Sequence, residues 1–112
     1  MAKYESKMAG SFNDFLSYME REIINGSITA RLEAKSNISL ENVNVAIRVF
    51  ERYSVMSGNR VGLNLTLVGN EENLFLTMIT SGGSGGMFLT YNSVGEESFL
   101  VKAIEAVNRY GK

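Results

Sequence analysis

The chain has 112 residues, of which 45% are hydrophobic, and its eleven basic and twelve acidic residues give a formal net charge of -1. This length predicts one domain spanning residues 1–112 with its own hydrophobic core. The absence of cysteine excludes disulfide and thiolate–metal scaffolds. With no long apolar run and no apolar leader after Met1, we expect a cytoplasmic protein.

The first third of the chain predicts a strand, a helix and a second strand. Residues 3–8 alternate between polar and less polar side chains, which is typical of a strand with one solvated face. Ser11 precedes an apolar stripe of helical spacing over residues 12–24 and predicts the helix N-cap. Residues 28–35 then alternate again, with Ile28, Ala30, Leu32 and Ala34 expected to point inward.

The middle of the chain predicts three further strands, over residues 43–55, 60–68 and 74–79, joined by short turns. In the first of them, the Val/Ile set that begins at Val43 is predicted to face the core. The alternate set, which includes Arg48, Phe50 and Arg52, is predicted to face solvent. In the other two strands the leucines are predicted to point inward, so that Phe75 and Ile79 point outward.

A glycine-rich segment follows, and two more elements are predicted after it. The segment comprises Gly82, Gly83, Ser84, Gly85 and Gly86. Such a composition cannot pack a core, so we expect a hairpin connection or a flap over a ligand. Residues 87–91 predict a sixth strand. Ser93 and Glu96 form a capping box that predicts a second helix, with Gly111 ending it.

The order of these elements predicts an α+β fold, β-α-β(5)-α. Short links make the strands a six-stranded antiparallel sheet. Each helix has a single apolar stripe, so both helices are expected to pack on the same face of the sheet.

The element order resembles the TATA-binding-protein half and the helix-grip folds. At the level of residues, segments 50–54, 58–61, 64–67 and 95–100 resemble a family of short uncharacterised bacterial proteins. The second resemblance implies no activity, because the function of that family is unknown, and similarity of fold does not imply function.

The outer sheet face is the leading candidate for a functional surface. The residues predicted there combine aromatic, aliphatic and basic side chains: Phe50, Phe75, Ile79, Arg48, Arg52 and Arg31. An exposed apolar patch is typical of an interaction site. We therefore expect a non-catalytic interaction module that self-associates through this face or through a strand edge. An ordinary solvated face, with the arginines paired to Glu33 and Glu51, is the competing interpretation.

Two other binding functions fit the pattern. In the first, a small apolar ligand enters beneath the glycine-rich flap, past Met78, Met87, Phe88 and Tyr91. These residues are equally explained as plain core. In the second, Arg31, Arg48 and Arg52 with Phe50 hold single-stranded nucleic acid. The near-zero net charge argues against the second function.

The sequence gives little support for catalysis, cofactors or metals. It contains no histidine and only one aspartate, Asp14, so a general base and the usual metal ligands are scarce. The glycine-rich segment lacks the lysine and helix start of a nucleotide-binding loop. We therefore expect a protein that is not an enzyme and needs no cofactor.

Overall fold

The computed structural model describes residues 1–53, 58–82 and 89–110, with the backbone alone over residues 89–97. The elements in chain order are β1 (Ala2–Ala9), α1 (Phe12–Asn25), β2 (Arg31–Leu40), β3 (Val43–Tyr53), β4 (Arg60–Gly69), β5 (Asn73–Gly82) and α2 (Leu89–Arg109). The strands form one antiparallel sheet in the order β1-β5-β4-β3-β2. The α+β class is therefore confirmed.

The described sheet has five strands rather than the predicted six. Leu89, Thr90 and Tyr91 belong to α2, which begins four residues before the predicted capping box at Ser93. Met87 lies outside the described residues. A short apolar run fits a strand or a buried helix equally well, so periodicity alone could not decide between them.

Both helices pack on one face of the sheet, as predicted. Ser11 caps α1 by accepting a hydrogen bond from the backbone N–H of Asp14. The α1 side chains and the C-terminal half of α2 share one core with the inward residues of the central strands. That core includes Phe15, Met19, Leu63, Leu65, Leu67, Leu76, Met78, Phe99 and Ala103. The Tyr18 hydroxyl joins the helices by donating to the Ala106 carbonyl oxygen at 2.5 Å.

Strand β3 faces the opposite way from the sequence prediction. Ala46 and Phe50 are fully buried, and Arg48 is 4% exposed. They pair with β4 residues on the helix side, Phe50 with Leu63 and Arg48 with Leu65. The prediction was wrong because a period of two shows which residues share a face, and it does not show which face the helices cover.

A β-bulge in β2 changes which of its residues face the helices. The register shifts between Leu32, which pairs with Phe50, and Ala34, which pairs with the outward Val49. A bulge of one residue sends the rest of a strand's side chains to the opposite faces. The inward positions predicted for Ala34 and for Ile28, which is exposed in the preceding turn, are therefore wrong.

Candidate interaction surface

The sheet surface opposite the helices, here called the outer face, carries many apolar side chains, most of them on β2 and β3. Strand alternation and register place the following side chains on it: Lys3, Glu5 and Lys7 of β1; Ala34, Ser36, Ile38 and Leu40 of β2; Val43, Val45, Ile47 and Val49 of β3; Asn64, Thr66 and Val68 of β4; and Phe75, Thr77 and Ile79 of β5. The nine large apolar members of this set, from Ile38 to Ile79, are called the apolar patch.

Register aligns the apolar patch into rows that cross the sheet. One row runs through Ile38, Val45, Val68 and Phe75 and ends at Lys7 of the edge strand. Neighbouring side chains within such a row lie about 5 Å apart. The row is therefore one continuous hydrophobic strip across four strands.

The apolar patch is accessible to solvent. Leu40 is 63% exposed, Ile38 is 45% exposed, and Val43 and Ile79 are each 37% exposed. The patch residues between them are partly buried by their sheet neighbours, and neither described helix packs on this face. Single exposed apolar side chains are ordinary, whereas a contiguous exposed patch is typical of an interaction site.

Strand propensity explains part of this composition. Valine and isoleucine favour strands, and their cross-strand pairs stabilise a sheet whether or not a second layer covers it. Leu40 and Phe75 extend the patch beyond the β-branched residues, and threonine satisfies the same backbone preference with a polar side chain. Propensity alone therefore does not require so apolar a surface.

Only some of the predicted interface residues lie on the outer face. Phe75 and Ile79 lie on the outer face. Arg31 pairs with Glu51 and lies at one end of the same face. Phe50 and Arg48 lie on the helix side, so their predicted outward position is wrong. The set proposed for single-stranded nucleic acid is consequently split between two faces of the sheet.

Arg48 is held inside by a network of hydrogen bonds. Its Nε atom lies 2.5 Å from Glu20 Oε2 of α1, and Nη2 donates to Asn37 Oδ1 at 2.8 Å. Nη1 donates to the carbonyl oxygens of Ser36 and Ile47 at 3.1 and 3.0 Å. With each of its three nitrogens engaged, this guanidinium ties α1 to strands β2 and β3 and does not serve as a free anion-binding group.

Arg52 also turns to the helix side. Its guanidinium carbon lies 4.8 Å from the centre of the Phe99 ring, and Nη1 donates to Ser27 Oγ at 3.2 Å. Burial lowers the pKa of Arg52 from its ordinary value. The contact is a cation–π interaction that attaches α2 to the end of β3.

A polar pocket of about 460 Å³ lies at the Arg31 end of the sheet. It is lined by Thr29, Arg31, Glu33, Glu51, Arg52, Tyr53 and Arg60. Arg60 Nη1 lies 3.5 Å from Glu51 Oε1, and both side chains are well exposed. This pair matches the competing interpretation in which arginines pair across strands, and it neutralises part of the positive charge there.

A second depression, of about 210 Å³, lies between the C-terminal parts of the helices. Lys102 Nζ donates to the Gly26 carbonyl oxygen at 2.9 Å, and Arg109 Nη2 lies 3.0 Å from Glu22 Oε1. The hydrogen bond to Glu22 raises the pKa of Arg109. Lys102, Arg109 and Glu22 are thus engaged in bonds that connect the two helices.

The residues predicted as a flap and ligand entrance are only partly within the described chain. Gly82 ends β5, whereas Gly83, Ser84, Gly85, Gly86, Met87 and Phe88 lie outside the described residues. Tyr91 belongs to the backbone-only part of α2. Met78 is fully buried in the core, which matches the plain-core interpretation rather than an exposed entrance.

Much of the apolar patch was visible in the sequence but assigned to the wrong side. The alternation from Val43 to Val49 was clear, but its valine and isoleucine side chains were predicted to face the core because they are hydrophobic. Ile38 and Leu40 were missed because residues 36–42 were interpreted as a connection. The signal that could have identified them is the two-residue turn at Glu41 and Asn42, which joins two long strands.

The part of the chain that the structure describes contains neither a metal-binding cluster nor a membrane-spanning helix. Its acidic side chains form no group of three or more that could hold a metal ion. Among the same residues, neither helix has the length and hydrophobicity needed to cross a membrane.

Fold and surface together define a two-layer α+β protein whose antiparallel sheet has helices on one side and an apolar surface on the other. The chain belongs to the family of unknown function DUF6054, whose model matches residues 1–111. The expected membership in an uncharacterised family is therefore confirmed. Comparison with curated proteins gives no match. Among solved structures, TTHA0849 from Thermus thermophilus is similar at 10% identity and a TM-score of 0.29, over 99% of each chain.

Proposed function

We propose that this protein is a non-catalytic interaction module that forms a homodimer through the outer face of its sheet. The observation that carries the proposal is the apolar patch, which spans four strands and is exposed at Ile38, Leu40, Val43 and Ile79. Covering it with a second copy would remove this apolar surface from water, which is the principal driving force of association.

The dimensions of the outer face suit a dimer. With strands about 4.8 Å apart and residues about 3.4 Å apart along them, five strands of some ten residues present roughly 800 Å². A specific interface of standard size buries about 800 Å² on each partner. A second copy of this chain, with the same apolar patch and the same rim, therefore matches the surface in size and chemistry.

Self-association through a strand edge is the weaker form of the proposal. The edge strand β2 carries a bulge after Leu32 and a lysine at position 35. Bulges and lysines are devices that oppose pairing of exposed edges. The outer face, in contrast, carries charged side chains only on the edge strand β1 and at the ends of the strands.

The ligand and nucleic-acid alternatives have less support. Met78 is core, and the guanidinium of Arg48 is engaged by Glu20 and backbone oxygens. The proposal retains the cytoplasmic location that the sequence favours, and it includes no catalytic step.

Sedimentation velocity with matched lysine variants tests the proposal. The wild type should sediment as a dimer at several hundred micromolar, and Val68→Lys on the central strand β4 should sediment as a monomer. Val101→Lys is the control, because Val101 is 49% exposed on α2, away from the sheet. It should remain a dimer.

Circular dichroism of each variant establishes that it is folded. Should Val68→Lys fail to fold, Ile79→Lys provides the same test at a more exposed position. A monomeric wild type at these concentrations, or a dimer that tolerates both lysines on the outer face, would refute the proposal.

A further inference from the structure

The outer face also determines how a second copy would be oriented, and this inference rests on the proposed function. Two identical sheets packed face to face are related by a two-fold axis that lies between them. When the two sheets pack with their strands aligned, the axis runs approximately along the strands or approximately across them. Strand β4 is the third of five strands, so an axis along the strands would follow β4.

We infer that the dimer axis runs along β4, and the charged strand β1 is the main reason. Its outward residues are Lys3, Glu5 and Lys7. An axis across the strands at the level of Glu5 would place β1 over β1 of the second copy. Glu5 would then face Glu5, and each Lys3 would face a Lys7. Like charges placed opposite one another in an interface oppose association.

An axis along β4 removes this conflict. It places β1 over the part of β2 that follows the bulge in the second copy, whose outward residues are Ala34, Ser36, Ile38 and Leu40 and carry no charge. The long lysine side chains of β1 can lie along this apolar rim while their ammonium groups reach water. The charges then lie at the two margins of the interface, where polar rims occur.

The apolar rows also match under the axis along β4. Each row of residues lies over the same row of the second copy, and β3 lies over β5 of that copy. Val45 then faces Phe75, and Val49 faces Ile79, because each pair shares a row of the sheet. Sheets packed in this aligned way cross at about 30°, which displaces the ends of the strands but leaves the central rows in contact.

The polar residues of β4 support the same axis. Asn64 and Thr66 lie on β4, and the Thr66 hydroxyl donates to Asn64 Oδ1 at 3.0 Å. On the axis, Asn64 would meet its own copy, and a carboxamide both donates and accepts hydrogen bonds. An axis across the strands at Thr66 would instead place Asn64 against Val68, which offers the buried NH2 group of Asn64 no side-chain acceptor, and an unsatisfied buried donor is costly.

Single-cysteine variants test the orientation, because the chain has no cysteine of its own. Asn64→Cys, Thr66→Cys and Glu5→Cys would be treated separately with a short bis-maleimide. Under an axis along β4, residue 64 faces its copy, whereas the two copies of residue 5 lie four strand spacings apart, about 19 Å. Under an axis across the strands, residue 5 faces its copy and the two copies of residue 64 lie about 14 Å apart along the strand.

The expected result is efficient cross-linking of Asn64→Cys and Thr66→Cys, with Glu5→Cys no better than Val101→Cys on the helix side. Cross-linking of Thr66→Cys and Glu5→Cys without Asn64→Cys would overturn the orientation and leave the dimer in place. Equal cross-linking of all three outer-face variants would also overturn it. A wild type that sediments as a monomer would instead refute the proposed function itself.

Discussion

Replacing Arg48 by methionine tests the orientation of β3, on which the location of the outer face depends. Methionine keeps a flexible apolar stem of similar length and removes the guanidinium. Arg31→Met is the matched control, because Arg31 lies on the neighbouring strand with its side chain exposed. The sequence pattern predicted both arginines on the same solvated face, so it predicts equal effects.

The structure instead predicts a large difference between the two variants. Arg48 is 4% exposed and donates to Glu20, Asn37 and the carbonyl oxygens of Ser36 and Ile47. Breaking a buried ion pair by removing one partner costs about 3–5 kcal/mol. The Glu20 side chain is 31% exposed, so water compensates part of that loss, and about 2–3 kcal/mol remains. Surface changes such as Arg31→Met stay within about 0.5 kcal/mol.

Thermal unfolding followed by circular dichroism measures this difference. For a domain of this size, about 1 kcal/mol corresponds to a shift in Tm of about 4 °C, so Arg48→Met should lower the Tm by about 8–12 °C. Protein concentration must be held constant, because dimerisation makes the Tm depend on it. Equal Tm values for Arg48→Met and Arg31→Met would show that β3 turns its Arg48 side to solvent. The location assigned to the outer face would then be wrong.

Three further substitutions test the packing that holds the sheet and helices together. Gly69→Ala should destabilise the protein by about 1–3 kcal/mol in urea unfolding, because an added Cβ would clash with the Asn73 carbonyl oxygen; a neutral result would mean that the β4–β5 turn is open. Tyr18→Phe should cost about 1 kcal/mol by removing the hydrogen bond to the Ala106 carbonyl, and an unchanged urea midpoint would argue against that contact. Ser11→Ala should also cost about 1 kcal/mol through loss of the α1 N-cap, with no loss expected if α1 starts elsewhere.

Several features of the fold followed from local pattern alone. In β4, leucines such as Leu63 and Leu65 alternate mostly with smaller or polar residues, so only one face of this strand could enter the core. The capping serine and apolar stripe of α1 were similarly unambiguous. The outward position of Phe75 and Ile79 was predicted by assigning the Leu and Met residues of β5 to the core, and the burial of Leu74, Leu76 and Met78 confirms that assignment.

The remaining features depended on contacts between distant parts of the chain. Both alternate sets of β3 are compatible with burial, and the choice between them came from register with β4 and from Glu20 on α1, which pairs with Arg48. The bulge after Leu32 is a property of the β2–β3 pair. Residues 89–91 form the start of α2 and not part of a sixth strand. The prediction was wrong because a short apolar run fits either a strand or a helix.

The sequence by itself thus determined the α+β class, which residues share a face in β3, β4 and β5, and the apolar stripe of α1. These properties arise from the fixed repeats of helix and strand, which depend on neighbours in the chain. Tertiary structure alone decided which face of β3 the helices cover, and therefore where the apolar patch lies. That choice is non-local, because it depends on which side chains of other strands and helices fit against each face.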